Sequence, residues 1–249
     1  MNPIAKSILA TSLFCTGISV TQASSEEAID PSNLTQVSTS AYLGLSNKGD
    51  VKMSASLGLS LKNGQMAMGT LEGSMDNEGN YNDSRLQYFH VFSTENMSVP
   101  RVAASLDIID NANFTTAAIG GVAMFNPNIE SLTIFGRVGL LAGSYDDSFA
   151  SMMGESNTDV LGGMAAAYFS WKPGKDGTYL MLSPEYTYMD GDIETSILKT
   201  SVTLGTPLSN DSKRWGQFKI ENSSGTMKAS RQTIDISDTT AWVFYKVFF

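Results

Sequence analysis

The sequence predicts an all-β protein: an antiparallel transmembrane β-barrel of about twelve strands, with ten as the alternative count. Three observations lead to this fold class. Apolar and polar residues alternate with a period of two in many segments, which is typical of strands with one apolar face. Only 16% of the 249 residues are charged, and 22 glycines are spread along the chain, a composition that suits a barrel with an apolar outer surface. The alternation also runs to the last residue, as a barrel without open edges requires.

The net charge of the chain argues against nucleic acid as a partner. The sequence has 16 Lys and Arg against 25 Asp and Glu, which gives a formal charge of -9. Because proteins that bind nucleic acid need clustered cations for the phosphates, we expect no such partner. Hydrophobic residues make up 42% of the chain and long helical patterns are absent, so a helical membrane bundle is excluded as well.

The N-terminus is predicted to be a secretory signal peptide over residues 1–23. Lys6 precedes an uncharged and mostly apolar or small run from Ser7 to Val20, and a small-residue cleavage site fits after Ala23. The single cysteine is Cys15, so the mature chain would hold no thiol for disulfides, metal sites or nucleophilic catalysis. Residues 24–34 are predicted to form an acidic periplasmic tail that either plugs the lumen or hangs free, and residues 35–249 to form the barrel.

The C-terminus has the clearest strand pattern. Phe249, Val247, Tyr245 and Val243 form an unbroken apolar face, while Lys246 lies on the other face. Together with the signal peptide, this last strand with its terminal Phe resembles a Gram-negative outer-membrane β-barrel protein. The resemblance implies an outer-membrane location, and it implies that Val243, Tyr245, Val247 and Phe249 form the signal read by the barrel-assembly machinery. In size and inferred strand number the chain is similar to small porins of about twelve strands.

Alternation and turn residues divide the rest of the chain into strands. Twelve segments are predicted, at residues 37–45, 51–61, 67–75, 84–94, 100–109, 113–125, 130–144, 159–172, 178–190, 193–206, 213–222 and 239–249. The long connections 76–83, 145–158 and 223–238 then fall on one side, which is extracellular if the N-terminus is periplasmic. Aromatic residues near strand ends are predicted to form interfacial girdles; they are Phe125, Trp171, Tyr179, Tyr186, Tyr188 and Trp215.

The polar face of these strands carries charges that the alternation directs into the lumen. They are Lys52, Glu72, Arg85, Arg101, Asp107, Arg137, Glu185, Lys199, Lys219, Glu221 and Lys246. Burying such charges unpaired in a soluble barrel would cost several kcal/mol each, so a membrane barrel with a polar lumen is favoured. Cations outnumber carboxylates in this set, which favours small anions. Small residues of the first two strands and the inward aromatics of the last strand, Trp242, Phe244 and Phe248, predict either a narrow path or a packed seam.

The first functional hypothesis is a narrow passive channel for small solutes, anions in particular. The second is a structural or surface-interaction barrel, an adhesin or receptor, that acts through loops 145–158 and 223–238. The third and least favoured is a lipid-modifying enzyme, because the single histidine, His90, has Ser93 on the opposite strand face. No catalytic residue and no cofactor is expected, and the oligomeric state is left open.

The outward connections are rich in carboxylates, including Asp146, Asp147, Asp190 and Asp192. We expect this acidic rim to interact with the lipids and lipopolysaccharide of the outer membrane through bridging divalent ions. A dedicated calcium site at Asp190 and Asp192 is a more specific hypothesis. However, neither this stretch nor Asp146-Asp147 supplies by itself the six or more oxygens that such a site needs. No metal site is therefore predicted.

Overall fold

The computed structural model describes residues 29–61 and 64–249, so the predicted signal peptide 1–23 lies outside the described residues. Twelve antiparallel strands form one closed barrel in which each strand pairs with its sequence neighbours and β1 pairs with β12. This confirms the predicted fold class and the count of twelve. The elements are β1 (Ser40–Ser46), β2 (Val51–Ser60), β3 (Met66–Met75), β4 (Tyr81–Ser93), β5 (Arg101–Asn111), β6 (Phe114–Phe125), β7 (Leu132–Tyr145), α1 (Asp147–Met153), β8 (Asp159–Trp171), β9 (Tyr179–Asp190), β10 (Glu194–Pro207), β11 (Arg214–Lys228) and β12 (Thr233–Phe248).

The barrel closes between the first strand and the last. Ser40 is opposite Phe248 and Ser46 is opposite Trp242 in this pair. Beyond the strand, the backbone N–H of Phe249 donates to the carbonyl of Thr39 at 3.0 Å. Because every strand has two neighbours, the barrel leaves no row of unpaired backbone groups, which a hydrocarbon environment would not tolerate.

The outer surface of the barrel is an apolar belt. Leu57, Leu71, Ile119, Val138 and Leu140 are each more than 60% exposed, and they come from four different strands. A soluble protein rarely exposes so continuous an apolar surface, whereas lipid solvates it. Among the described residues no helix is long and apolar enough to cross a membrane.

The two ends of the barrel differ. One end holds Phe249 and a segment of residues 29–39 that precedes β1, which we call the strap; this is the strap end. The other end holds the β7–β8 connection with α1, a helix of seven residues; this is the helix end. Apolar side chains gather inside the barrel at both ends, and charged side chains occupy the interior between them.

Three segments differ from the prediction. The predicted loop 223–238 is mostly strand, because β11 continues to Lys228 and β12 starts at Thr233. The outward face of this hairpin is polar, and its inward face carries only Met227, Ile234 and Ile236 as large apolar residues. The apolar alternation is therefore weak in the sequence, although the backbone ladder continues. Likewise, β4 begins at Tyr81 inside the predicted loop 76–83. Residues 37–39 were predicted to be strand but belong to the strap, since β1 begins at Ser40.

Val37, from the predicted first strand 37–45, and two of the predicted girdle aromatics point into the barrel. Val37 packs against an interior cluster that contains Phe135, because the strap folds back inside. Tyr179 and Trp215, predicted for the aromatic girdle, are almost fully buried and pack together at the strap end. Alternation explains both, since Leu180 and Phe218 face outward and the odd positions of β9 and β11 therefore face inward.

Candidate channel interior

A first group of charges lines the interior on strands β2 and β3. Lys52 Nζ lies 3.4 Å from Glu72 Oε1. The two residues are diagonal neighbours in the β2–β3 pair, since Lys52 is directly opposite Ser74. The hydroxyl of Tyr42 donates to Glu72 Oε2. Lys52 Nζ also lies 5.3 Å from the centre of the Trp242 ring, a distance at which a cation is attracted to the aromatic face. These contacts tie the wall of the interior across the closing seam from β3 to β12.

A second group surrounds Asp107, which is almost fully buried. Arg85 donates through Nε to Asp107 Oδ1 at 3.0 Å and through Nη2 to Oδ2 at 3.2 Å, a bidentate pair. Arg137 Nη2 also pairs with Asp107 Oδ2, and the Arg137 guanidinium lies 5.9 Å from the centre of the Phe89 ring. Two guanidinium groups therefore share one carboxylate, which leaves this cluster with an excess of positive charge.

A third group lies across the barrel on β10 and β11. Lys199 Nζ is 3.8 Å from Glu221 Oε1, and Lys219 Nζ donates to Glu221 Oε2. Glu185 is opposite Lys199 in the β9–β10 register and accepts a hydrogen bond from Tyr168 at 3.5 Å. In this group Lys199 and Lys219 share the carboxylate of Glu221.

Lys246 and Arg101 complete the predicted set of interior charges. Lys246 lines two interior cavities, and its Nζ lies 4.8 Å from the centre of the Phe248 ring. Within the part of the chain that the structure describes, Lys246 has no carboxylate within ion-pair distance. Arg101 begins β5 on its inward face at the strap end.

Three cavities of similar size divide the space between these groups. The central cavity is about 310 Å³ and is lined by four cations, Arg85, Lys199, Lys219 and Lys246, against two carboxylates, Glu185 and Glu221. A cavity of about 280 Å³ lies between the strap and β1–β4, and one of about 240 Å³ reaches toward the helix end. The helix-end cavity has four carboxylates and three cations. The cavity beside the strap has three cations and two carboxylates, so the cationic excess is largest in the central cavity.

The small residues on the inward faces do not leave an open path along the seam. A Cβ on Gly44 would lie 2.2 Å from the Phe244 ring, so the ring occupies the space that this glycine leaves. Phe244 stacks on Trp242 with ring centres 5.7 Å apart and meets Tyr42 edge-on at 5.3 Å. Of the two predicted arrangements, a narrow path or a packed seam, the structure has the packed seam.

The β7–β8 connection folds over the helix end of the interior. Asp146 caps α1 by accepting from the N–H of Ser148 at 2.9 Å, and Phe149, Ala150 and Met153 are buried against inward residues of β6–β9 and β11. The β11–β12 hairpin holds the far side of the helix, since Gln232 Nε2 donates to the carbonyl of Met152 at 2.8 Å. The loop therefore covers part of the mouth instead of projecting from it.

The remaining candidate residues lie outside this interior. His90 faces outward near the strap end, where Tyr88 and Gln65 are hydrogen-bonded to its two ring nitrogens at 3.0 and 2.8 Å. Asp190 and Asp192 are exposed around the β9–β10 turn. Over residues 29–61 and 64–249, no group of three or more His, Cys, Asp or Glu side chains is arranged to hold a metal ion.

Comparison with known proteins finds similar solved structures but no similar sequence. No protein-family model and no curated protein matches the sequence. A NanC porin superposes with a TM-score of 0.60 at 9% identity, covering 85% of this chain and 99% of the porin. An outer membrane channel from Pseudomonas putida F1 gives 0.59 at 11% identity, with 89% and 100% covered. A KdgM porin gives 0.50 at 12% identity, with 86% and 99% covered.

The chain has the fold of an outer-membrane porin. Coverage of nearly the full length of each porin shows that the likeness extends over the whole barrel. At 9–12% identity the likeness concerns the fold alone. The functional argument therefore depends on the interior of this chain.

Sequence reasoning did not find two parts of this interior. It left the position of residues 24–34 open, whereas the described residues 29–34 lie inside the barrel, with Asp30 paired to Lys172. It also predicted a long extracellular connection at residues 145–158 and not a helix that packs inside the mouth of the barrel. Both segments carry an apolar signal, Leu34 in the strap and Phe149 with Met153 in α1, which sets them apart from purely polar loops.

Proposed function

We propose that this protein is a passive outer-membrane channel for small anionic solutes. The observation that carries the proposal is the central cavity, where four cations face two carboxylates in a space of about 310 Å³. Lys246 contributes most to the excess, because it has no carboxylate partner among the described residues. Cations lining a narrow passage raise the local concentration of anions and repel cations.

The rest of the cavity lining also suits a hydrated polar solute. Ser183, Ser201, Thr203 and Gln217 place hydroxyl and amide groups beside the lysines. Such groups exchange hydrogen bonds with a passing solute without holding it by a strong charge pair. An outer-membrane location supports the proposal and follows from the apolar belt, the predicted signal peptide 1–23 and the porin fold.

The test is ion selectivity in planar bilayers with the purified, refolded mature chain. The reversal potential in a KCl gradient should show preference for chloride, and Lys246→Glu should reduce or reverse it because the cavity loses two units of positive charge. Lys213→Glu is the matched control, since Lys213 is exposed in the β10–β11 turn. A preference for potassium in the parent protein, or an equal effect of both variants, would contradict the proposal.

A surface-interaction role is the second candidate, and one observation favours it. The β11–β12 hairpin has the two longest strands, of 15 and 16 residues, whereas about 9–11 residues cross a bilayer. This hairpin therefore projects beyond the membrane at the helix end. Shortening it symmetrically should abolish binding to a surface partner and leave ion selectivity unchanged.

We also infer the partners that assembly requires. Val243, Tyr245 and Phe249 are exposed on the outer face of β12, where they and Val247 are accessible to the barrel-assembly machinery. Outer-membrane lipids and lipopolysaccharide would contact the belt and the acidic helix end. We expect no catalytic activity, because both ring nitrogens of His90 are already hydrogen-bonded to Tyr88 and Gln65 on the outer face.

A further inference from the structure

The strap crosses the interior from one wall to the other. Leu34 packs against the cluster of Val91, Ala103, Val122 and Phe135 on β4–β7, and it also packs against the cluster that contains Trp215 on β9, β11 and β12. In a closed barrel of twelve strands these two groups of strands lie opposite each other. A single side chain therefore bridges the bore near the strap end.

The strap is shaped by hydrogen bonds within itself. Asp30 Oδ1 accepts from the N–H and the hydroxyl of Ser32 at 3.1 and 2.6 Å, and Asn33 Oδ1 accepts from the N–H and hydroxyl of Thr35 at 3.0 and 2.8 Å. The Asp30 N–H donates to Gln36 Oε1 at 2.6 Å, which closes the segment on itself. These local turns satisfy polar groups that would otherwise need the wall.

The strap joins the strand ladder at Thr39, whose carbonyl accepts from Phe249, but residues 30–37 contact the wall through side chains. Asp30 pairs with Lys172 just beyond β8, Leu34 and Val37 pack on apolar side chains, and the Thr35 hydroxyl lies 3.6 Å from the Met124 sulfur. Side-chain contacts of this kind can break while the β-ladder stays intact. The strap can therefore leave the bore as a preformed unit without unfolding the barrel.

The wall also has a recess for the strap. Gly58 lies on the inward side of β2, and a Cβ there would come within 2.7 Å of Val37 Cγ1 and 2.8 Å of the Ser38 nitrogen. Its N–H donates to Thr39 Oγ1 at 3.2 Å. A side chain at this position would displace the strap just before it joins β1. The close approach requires glycine.

We propose that the strap is a gate: it closes the strap end of the bore when docked and opens it by moving out as a unit. The proposal rests on the channel function argued above and adds its regulation. In the docked state Pro31 and Leu34 stand between the central cavity and the cavity beside β1–β4, because both residues line both cavities. Undocking joins the two cavities into one passage toward the strap end.

The experiment combines single-channel recording with a conductance-independent measure of strap position. Leu34→Asp places a carboxylate in the apolar contact, and we expect it to raise the open fraction by about tenfold or more. Gly58→Ala and Asp30→Asn are milder variants that act on the recess and the ion pair. Ile129→Asp and Gly69→Ala are the matched controls, because Ile129 is exposed in the β6–β7 turn and Gly69 has open space around it.

Strap position is read from a thiol at Ser32, which is 1% exposed when docked. Ser32→Cys should react slowly with a charged maleimide in the parent background and faster in the Leu34→Asp, Gly58→Ala and Asp30→Asn backgrounds, while the two controls stay slow. Faster labelling together with a higher open fraction supports the gate. The mature chain contains no other cysteine if residues 1–23 are removed, since Cys15 is the single cysteine of the sequence.

The two measurements separate failure of the gate from failure of the channel. If labelling becomes faster but the parent and the strap variants conduct equally, the gate is wrong and the channel stands. If labelling becomes faster and no variant conducts, the channel proposal is wrong, and the gate proposal, which rests on it, is wrong as well. If Ser32→Cys reacts rapidly in the parent background, the strap does not dock and the gate is wrong.

Discussion

At the residue scale, the interior depends on carboxylates that each serve two cations. Asp107 pairs with Arg85 and Arg137, and Glu221 with Lys199 and Lys219. Because a buried charge is tolerated only when it is paired and hydrogen-bonded, the shared carboxylates hold the cations in place. They also leave a net positive charge, which an equal number of carboxylates would cancel.

Removing the most buried of these carboxylates should destabilise the barrel. Asp107→Leu leaves Arg137, whose side chain is only 5% exposed, without its partner, so the free energy of unfolding should fall by about 3–5 kcal/mol. Urea titration in detergent micelles measures this change. Adding Arg137→Met should restore part of it, and Glu130→Gln, an exposed carboxylate in the β6–β7 turn, should have little effect. Equal stability of Asp107→Leu and the parent would show that Arg137 finds another partner.

At the element scale, α1 is a short helix that is stable only where it is docked. Isolated helices of this length do not persist in water, so its buried residues, above all Met153, and its contacts with the β11–β12 hairpin hold it in place. Glu155 supplies one of these contacts, since its Oε1 accepts from the N–H of Ser230 at 2.8 Å and from the hydroxyl of Ser230. These hydrogen bonds stabilise the charged carboxylate.

Docking of α1 should weaken in acid. The hydrogen bonds from the Ser230 side chain and backbone lower the pKa of Glu155 below its ordinary value. A carboxyl whose pKa is lowered in the folded state contributes stability above its unfolded pKa, near 4.3, and loses it as the pH falls through the folded pKa. Hydrogen exchange of the α1 amides should therefore speed up between about pH 5 and pH 3 relative to Glu155→Gln. The same acid response in both proteins would assign it to other carboxylates.

At the scale of the whole molecule, an acidic chain surrounds a cavity with a cationic excess. The formal charge of the sequence is -9, while the central cavity has four cations and two carboxylates. Alternation makes this possible, because each strand sends one set of side chains inward and its connections carry the acidic residues to the ends. Solute preference then follows the local charge of the cavity and not the sign of the whole chain.

Selectivity of electrostatic origin should weaken with salt. Because the Debye length shrinks from about 10 Å at 0.1 M to about 3 Å at 1 M, the chloride-to-potassium permeability ratio of the parent protein should approach that of free solution as KCl increases. Reversal potentials at a fixed concentration ratio and rising mean concentration measure it. Lys246→Glu should show a weaker salt dependence. A ratio independent of salt would indicate selection by size instead of charge.

The sequence alone determined the antiparallel transmembrane barrel and the inward direction of residues such as Lys52, Asp107 and Lys246, because a period of two assigns each residue to one face of a strand. It predicted about twelve strands with ten as the alternative, and the closed structure decided for twelve. Tertiary structure alone decided which charges pair, where the strap and α1 lie, and that Phe244 fills the space above Gly44. These outcomes depend on contacts between residues far apart in the chain, such as Leu34 with the apolar cluster of β4–β7 or Gln232 with Met152. Local patterns carry no information about distances across a barrel, which are set only when the twelve strands close.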